Sequence, residues 1–516
     1  MKRILSTILA AAALAAAAPT LAATPLHWPV TYTEPYLVAP RPSRSMNVLW
    51  LTSEPGTRSW VEYGLGPTYG RVAETRTHEI TGLRQWDAVS RSYPVPFRAY
   101  QQVAHLDDLE PGTRYFYRVV TETPAGRFVG AGYDFRTAPR RGEPVKFLLL
   151  SDLQLKSQGP ATLVLAGKQG ADFIVYSGDL QNTPYKADEW FKTRGVANNP
   201  DGLRWFEEMQ QTTDGARLLQ YTPIYPAPGN HEVDGQERLS RKDLVDLREI
   251  SLGIYEQLFR PLYPEQQPYA GGKHWYGADF GDVHVASLSL FRAFGWDAYD
   301  PPGWLLLDGI QAGSPQHDWL AFDLARAHGA GRYIWVTQHW HMLNRRSDVA
   351  VPFTQPVIDA AGKVTYPRDD LTLDLMPLYQ YYGVNGVSFG HSHVYERYAV
   401  KGVHYIEAAS LGTNYWSPAD PPVSPNLGIA PDFEENCFRS FVVVSTDPRR
   451  GMTAEAFVAS GPDVEPSWGA DRVQACRDHL AKVSFPMSVG SVFDRFTLSA
   501  PRSAPRGHRG GEAQDE

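Results

Sequence analysis

Cysteine is scarce in this chain of 516 residues, which contains only Cys437 and Cys476. Two cysteines so far apart do not make a zinc-binding motif, since such motifs place their ligands in closely spaced pairs. In an oxidising compartment they can form one disulfide or remain as thiols. The sequence leaves both alternatives open, because it does not give the distance between the two Cα atoms.

Apolar runs long enough to cross a membrane are absent after the N-terminus. The chain begins with Met1-Lys2-Arg3, continues with an Ala- and Leu-rich run over residues 4–18, and reaches small residues at 20–23. A bilayer span needs about 20 apolar residues, and no stop-transfer pattern follows this run, so a signal peptide is favoured over a membrane anchor. We predict a signal peptide over residues 1–23, a secreted or periplasmic protein, and no membrane span after cleavage. The sequence does not indicate the oligomeric state.

An excess of positive charge is missing as well. The 49 Lys and Arg residues stand against 57 Asp and Glu residues, which gives a net charge of −8. Loss of Lys2 and Arg3 with the signal peptide leaves 47 against 57, a net charge of −10. A nucleic-acid polymer is therefore not expected as a partner. The composition, 43% hydrophobic and 21% charged, is that of a globular protein, and the length allows two to four domains.

Residues 24–140 are predicted to form an antiparallel β-sandwich. They are rich in Pro, Gly, Thr and aromatics, with short alternating runs at 47–51 and 115–120. A Pro111-Gly112 turn precedes an aromatic-rich strand, as in fibronectin type III-like domains. The segment 138–144 combines prolines, glycine and charge, which is typical of a linker between domains.

Residues 145–500 are predicted to form an α/β domain. Apolar runs at 147–150, 173–176, 333–336 and 384–389 alternate with segments of helical periodicity such as 316–324. Continuous apolar strands separated by helices indicate a sheet that is buried on both faces. The last segment, 501–516, has no apolar periodicity and is predicted to be a disordered tail without an assigned function.

Polar side chains that can bind metal follow these apolar runs. Four runs end directly in Asp152, Gly178-Asp179, His339 and Gly390-His391-Ser392-His393, and a fifth segment contains Gly229-Asn230-His231-Glu232. The strand ends of α/β sheets bring distant positions of the chain to one crevice. Each segment alone has an ordinary alternative: a helix cap, a turn or a histidine of the core.

Together, and in this order, the five segments match the metallophosphoesterase pattern of Asp, Gly-Asp, Gly-Asn-His-Asp/Glu, His and Gly-His-x-His. The segment 390–397 resembles the Gly-His-x-His-x-Tyr-Glu-Arg motif of the purple acid phosphatases. With segments 280–285 and 316–324 and the fibronectin-like domain, the resemblance covers most of the mature chain. It implies a four-layer α/β/β/α sandwich preceded by an all-β, immunoglobulin-like sandwich.

The resemblance also implies a centre of two divalent or mixed-valence ions of iron, zinc or manganese, with a water or hydroxide between them. Asp179 would bridge the two ions. Asp152 and His393 would complete one site, and Asn230, His339 and His391 the other.

Two histidines are expected to contact substrate. His231 would protonate the leaving oxygen or bind phosphate, with Glu232 orienting its imidazole. His341 would be a second phosphate contact; its alternative is an exposed loop histidine.

Two positions depart from the purple acid phosphatase pattern. Asn182 stands where that family has the tyrosine that binds ferric iron and gives the colour. Gln154 stands where it has glycine, and where many other metallophosphoesterases have histidine; it is a weak oxygen ligand or a residue behind the ligands. Without tyrosinate, the sequence predicts a colourless centre with divalent ions.

The predicted activity is hydrolysis of small phosphate monoesters by attack of a metal-bound hydroxide. Hydrolysis of phosphodiesters, including cyclic nucleotides, uses the same machinery and is the first alternative. An inactive binding or scaffold protein is the second, motivated by the departures at Gln154 and Asn182. The presence of all six principal ligands favours the enzyme.

Overall fold

A computed structural model of the chain describes residues 31–154, 159–192, 204–210, 216–233, 252–263, 274–290, 292–294, 304–306, 308–340, 343, 357–358, 364–365, 371–408, 411, 429–460 and 470–498. The expected signal peptide, the C-terminal tail and His341 lie outside these residues. Within them, no helix has both the length and the apolar character needed to cross a membrane.

The N-terminal part of the protein consists of antiparallel strands. In chain order these are β1 (Tyr36–Val38), β2 (Met46–Thr52), β3 (Arg58–Gly64), β4 (Arg71–Ile80), β5 (Arg84–Asp87), β6 (Ser92–Pro96), β7 (Ala99–Leu106), β8 (Arg114–Thr123), β9 (Gly126–Val129) and β10 (Tyr133–Arg136). Strands β5 and β6 form a separate hairpin, and the others are ordered β1-β2-β7-β4-β3-β8-β10, with β9 also on β8.

Strand β4 folds this sheet into two halves. Its residues 71–74 pair with β3, and its residues 75–80 pair with β7. Buried side chains of both halves, among them Trp50, Val61 and Tyr117, form one apolar core. The predicted all-β N-terminal domain is therefore confirmed.

The remainder of the chain alternates strands with helices. The strands are β11 (Val145–Leu150), β12 (Phe173–Tyr176), β13 (Ile224–Pro226), β14 (Tyr276–Phe280), β15 (Val283–Ser287), β16 (Arg292–Phe294), β17 (Trp304–Leu306), β18 (Tyr333–Thr337), β19 (Val357–Ile358), β20 (Val364–Thr365), β21 (Gly386–Phe389), β22 (Tyr395–Val400), β23 (Val403–Ala408), β24 (Phe433–Glu435), β25 (Ser440–Asp447), β26 (Gly451–Val458) and β27 (Val492–Leu498). The α-helices include α1 (Gly159–Gly167), α2 (Ala187–Trp190), α3 (Trp205–Met209), α4 (Pro315–Gly329), α5 (Met376–Tyr382) and α6 (Ala470–Leu480). Residues 252–258 are helical as well. Short 3₁₀ turns occupy Asn230–Glu232 and Arg260–Leu262, and a π-helical turn occupies Leu371–Leu375.

Two mixed sheets form the centre of this part. The first is ordered β13-β12-β11-β25-β26-β27, and the second β14-β15-β18-β21-β23-β22-β24. Their inner faces meet in ring contacts: the centroids of Phe147 and Trp335 are 5.1 Å apart, and those of Phe173 and Phe280 are 4.6 Å apart. Strands β11, β12 and β13 are parallel, as are β15, β18, β21 and β23.

Helices cover the outer faces of the two sheets. Helix α4 begins at Pro315 after Ser314, whose hydroxyl caps the first turn, and it buries Trp319 and Leu320 against the second sheet. Leu163 of α1 and Phe206 of α3 belong to the core of the first sheet. The predicted four-layer α/β/β/α arrangement is confirmed.

The two parts of the chain share apolar core and hydrogen bonds. Tyr36 of β1 is fully buried, and its hydroxyl donates to the carbonyl of Leu258 at 2.7 Å. Tyr117 of β8 donates to the carbonyl of Gln220 at 2.7 Å. Burial of tyrosine rings with satisfied hydroxyls is typical of a permanent interface. The N-terminal domain is therefore an integral part of the folded protein.

Cys437 and Cys476 form a disulfide, with their Cα atoms 5.5 Å apart. It joins the segment before β25 to helix α6. The two cysteines are therefore paired and are not free thiols, a choice that the sequence alone leaves open.

Candidate metal centre

The candidate ligands lie where strands of the two sheets end. Asp152 follows β11 and Asp179 follows β12, and these strands run parallel and adjacent. His339 follows β18, and His391 and His393 follow β21, again a parallel pair. Because parallel strands end at the same edge, each sheet contributes ligands to one crevice.

Hydroxyl groups connect the two sheets behind this crevice. The hydroxyl of Ser177, at the end of β12, lies 3.0 Å from that of Thr337 and donates to Ser388 at 3.1 Å. All three side chains are fully buried. These residues were not predicted from the sequence, where their only signal is a small polar side chain at the end of an apolar strand.

The side chains form two candidate cation groups that share Asp179. Asp179, His339 and His391 can place one ligand atom each within 4.8 Å of one another, and so can Asp152, Asp179 and His393. The Oδ1 atom of Asn230 lies 3.0 Å from Nε2 of His339 and 2.9 Å from Nδ1 of His391. Asn230 therefore adds a neutral oxygen to the first group.

The backbone at this crevice is strained. Nine non-glycine residues of the described chain have a positive φ, and five lie here: Asp152 (52°), Gln154 (41°), Asp179 (55°), His391 (80°) and His393 (60°). Non-glycine residues seldom adopt this conformation, and it concentrates at functional sites. The sequence carries no direct signal of it.

Glycines give the carboxylates room. A Cβ atom on Gly390 would lie 2.2 Å from Oδ2 of Asp152, and one on Gly229 would lie 2.3 Å from Oδ1 of Asp179. Both distances are far below van der Waals contact. Any side chain at either position would displace a candidate ligand.

Two neighbours orient the histidines. The carbonyl of Ser177 lies 2.7 Å from Nδ1 of His339, which therefore carries a hydrogen and turns Nε2 toward Asp179 Oδ2, 3.2 Å away. The ring of Trp340 stacks on that of His391 with centroids 4.0 Å apart. Trp340 was not predicted from the sequence, where its signal is its position directly after His339.

The crevice concentrates negative charge that needs a cation. Burial alone would lower the pKa of His339, but Asp179 outweighs this and raises the pKa to about 10. Burial would raise the pKa of Asp179, but His339 and His231 hold it below its usual range. Positive charge thus helps to stabilise the buried carboxylate, and a bound metal ion would supply such charge as well.

Glu232 has a different role from the one that the sequence predicts. Its carboxylate accepts hydrogen bonds from the backbone N–H groups of Asp179 (2.8 Å), Leu180 (2.9 Å) and Gly229 (2.7 Å). The His231 imidazole is not among its partners. Burial, followed by the charge of Asp179, raises the pKa of Glu232 to about 7. The prediction that Glu232 orients His231 is wrong: Glu232 joins the two loops that carry Asp179 and Asn230.

His231 is held by other groups. Its backbone N–H donates to Oδ1 of Asp179 at 2.9 Å, and Nδ1 of its ring lies 3.0 Å from the carbonyl oxygen of Asn182. Its Nε2 lies 3.9 Å from Asp179 Oδ2. The ring therefore borders the crevice without belonging to either cation group.

The two residues that depart from the family pattern also border the crevice. Nε2 of Gln154 donates to Oδ2 of Asp179 at 3.0 Å, and Nδ2 of Asn182 donates to the backbone carbonyl of Gln154 at 3.0 Å. His341 lies outside the described residues, so its predicted role stays a prediction.

Two family models match successive parts of the chain. The model of the purple acid phosphatase N-terminal domain matches residues 33–137, and that of the calcineurin-like phosphoesterases matches residues 145–395. An uncharacterized protein of Mycobacterium tuberculosis is 27% identical over 388 residues, 73% of this chain and 62% of that protein. Purple acid phosphatase 18 of Arabidopsis thaliana is 23% identical over 356 residues, 69% of this chain and 63% of the relative. The aligned region thus spans less than two thirds of either relative.

A solved structure has the same fold. Purple acid phosphatase PPD1 from seeds of yellow lupin (Lupinus luteus) superposes with a TM-score of 0.57 at 17% identity, over 87% of this chain and 76% of that one. The two matched family models follow one another along the chain as the two folded parts do. The protein therefore carries a calcineurin-like phosphoesterase domain over residues 145–395, preceded over residues 33–137 by an N-terminal domain of the purple acid phosphatase type.

Proposed function

We propose that this protein hydrolyses phosphate monoesters at a centre of two metal ions. The observation that carries the proposal is that two groups of buried ligands share one carboxylate, Asp179. A shared carboxylate is the usual bridge between two ions about 3.5–4 Å apart. Asp179 is grouped with the imidazoles of His339 and His391 in one case, and with Asp152 and the imidazole of His393 in the other.

The donor atoms suit divalent ions of the first transition series. Asp152, Asp179 and His393 would hold one ion, and Asp179, His339 and His391, with Asn230, the other. Imidazole suits zinc and iron, and carboxylate and amide oxygens suit manganese as well. Two bound ions would lower the pKa of a water molecule and offset the charge of the phosphoryl group.

The protein itself supplies orientation and a proton. His231 borders the centre, and its ring is held by the Asn182 carbonyl. In its protonated form, Nε2 can donate to a phosphate oxygen or to the leaving oxygen. The two Asp charges against two divalent ions leave the centre positive, which favours a small dianionic phosphate ester.

Export from the cytoplasm is part of the proposal. It rests on the signal-peptide pattern of residues 1–23 and on the disulfide between Cys437 and Cys476, since disulfides persist in oxidising compartments. N-terminal sequencing of protein recovered from outside the cytoplasm should begin near residue 23. An intact N-terminus on the mature protein would contradict export by cleavage.

The activity is tested with the full mature chain. It is stripped with a chelator, reloaded with Mn²⁺, Zn²⁺ or iron, and assayed with p-nitrophenyl phosphate, bis-p-nitrophenyl phosphate and cyclic AMP. We expect turnover of the monoester to exceed that of both diesters, and His391→Ala to abolish it. His105→Ala, a partly exposed histidine of the N-terminal sheet, is the matched control and should keep full activity.

Faster turnover of a diester would replace the proposal with a phosphodiesterase. No turnover of any substrate with any metal would favour a binding protein.

A further inference from the structure

Two buried carboxamide oxygens at the centre, Oε1 of Gln154 and Oδ1 of Asn182, accept no hydrogen bond from any residue that the structure describes. Gln154 is 2% exposed. A buried polar atom without a hydrogen-bond partner lowers the stability of a protein by on the order of 1–3 kcal/mol. Two such oxygens beside a charged site therefore indicate that a further group binds to them.

The orientation of both amides is determined by their nitrogen atoms. Nε2 of Gln154 donates to Asp179 Oδ2, and reversing this amide would set its oxygen against a carboxylate oxygen. Nδ2 of Asn182 donates to the backbone carbonyl of Gln154, and reversal would again oppose two acceptors. The two oxygens are therefore oriented acceptors and cannot be exchanged for donors.

The surroundings select what can bind to them. Gln154 lies two residues after Asp152, and both have left-handed backbone. Gln154 also donates to Asp179, which belongs to the same cation group as Asp152 and His393. Asn182 is next to Gln154, since its side chain donates to the Gln154 carbonyl. Buried carboxylates and amide oxygens repel an anion and attract a cation.

We propose that Gln154 and Asn182 bind, through their side-chain oxygens, the metal ion held by Asp152 and His393. This inference rests on the proposed dinuclear centre and deepens it. The two amides add oxygen ligands without adding charge. This site then combines two carboxylates, two amide oxygens and one imidazole, a set that suits an oxygen-seeking ion such as Mn²⁺.

The first test measures metal binding rather than activity. Apo protein is titrated with Mn²⁺, and free Mn²⁺ is followed by electron paramagnetic resonance. The wild type should bind two equivalents. Gln154→Met keeps the volume and removes the oxygen, so it should weaken one equivalent by about 10- to 100-fold and leave the other unchanged. Gln154→Glu keeps an oxygen and should retain both.

Gln220→Met is the matched control. Gln220 is also fully buried, and its Oε1 also lacks a partner among the described residues, but its amide donates to the carbonyl of Gln210 near the N-terminal domain. This control should bind Mn²⁺ as the wild type does. Circular dichroism of each variant checks that a loss of binding is not a loss of folding.

A second test addresses Asn182 by spectroscopy. Asn182→Tyr, loaded with Fe(III), should acquire an intense visible band from phenolate-to-iron charge transfer, and the iron-loaded wild type should not. Absence of the band in a folded, iron-containing variant would place this side chain outside the metal site.

The titration separates the inference from the proposed function. If Gln154→Met bound both equivalents of Mn²⁺ with wild-type affinity, the inference would be overturned, but the two equivalents bound by the wild type would still support the dinuclear centre. A wild type that binds no metal would instead overturn the proposed function.

Discussion

The backbone carbonyl of Asn182 lies 3.0 Å from Nδ1 of His231. A carbonyl only accepts, so Nδ1 carries a hydrogen and Nε2 is the atom that faces the crevice. The N–H groups of Asn182 and Thr183 in turn donate to the buried carboxylate of Glu189, at 3.0 and 2.7 Å. The loop after β12 therefore sets both the tautomer and the position of the His231 ring.

Replacement of His231 should impair catalysis without removing metal. We expect His231→Gln to lower kcat by about 10²- to 10⁴-fold, the range of a lost proton donor, because Gln cannot donate an ionisable proton. Metal content by elemental analysis should stay at two ions per chain. A loss of metal together with activity would show that His231 is a ligand.

The shared position of Asp179 gives a test of the dinuclear arrangement. Asp179→Asn removes a charge from both candidate groups, whereas His393→Ala removes a ligand from one. We expect Asp179→Asn to weaken both equivalents of metal, and His393→Ala to weaken one by at least about 10-fold. Isothermal titration with Zn²⁺ separates the two patterns. Equal effects of the two substitutions would contradict a bridging role for Asp179.

Gly390 offers a steric test of the same site. Its backbone φ is not positive, so alanine is acceptable to the backbone, but the added Cβ would meet Oδ2 of Asp152. We expect Gly390→Ala to displace Asp152 and to lower metal affinity and kcat by 10-fold or more, about the effect of losing an oriented ligand. Gly253→Ala is the control, since nothing lies within 4 Å of its added Cβ. If Gly390→Ala retained wild-type affinity, Asp152 would not be a ligand.

A buried ion cluster away from the centre makes stability depend on pH. His284 of β15 is fully buried, with Nδ1 2.7 Å from Asp279 and Nε2 2.7 Å from Asp323. Arg326 donates to both carboxylates. Burial alone would lower the pKa of His284, but Asp323 and Asp279 outweigh it and raise the pKa to about 9.

A raised pKa means that the folded state holds the proton more tightly than the unfolded state, whose histidine titrates near 6.5. The stabilisation is complete below about pH 6.5 and is lost as the pH rises through about 9. We expect the free energy of unfolding, from urea titrations, to fall by about 3 kcal/mol more in the wild type than in His284→Gln over this interval. Parallel pH profiles would mean that His284 is neutral in the folded protein.

Much of the fold is predictable because buried strands must be apolar. The runs at 147–150, 173–176 and 333–336 each became a strand, since a sheet covered on both faces admits few polar side chains. The helix predicted around 316–324 is present as α4 for the same reason, with its apolar stripe on the sheet. The position of the ligand segments at the ends of these strands then predicted one shared crevice.

Other features depend on contacts between distant segments, which a single sequence does not encode locally. Strand β25 pairs with β11 across some 300 residues, and nothing in either segment specifies that pairing. The partners of Glu232 follow from how two loops meet, so the guess from its neighbour His231 failed. The left-handed backbone at Asp152 is likewise imposed by the packed surroundings rather than by its residue type.

Strain at the ligand positions has a consequence for heat resistance. Left-handed backbone costs on the order of 1–3 kcal/mol per residue, and it occurs at four candidate ligands, Asp152, Asp179, His391 and His393. An ion that binds only the folded chain adds about 2.7 kcal/mol of stability at a concentration 100 times its dissociation constant. We therefore expect a melting temperature several degrees higher in the metal-replete protein than in the chelated one, by scanning calorimetry. The same ions that serve chemistry would then also keep this part of the chain folded.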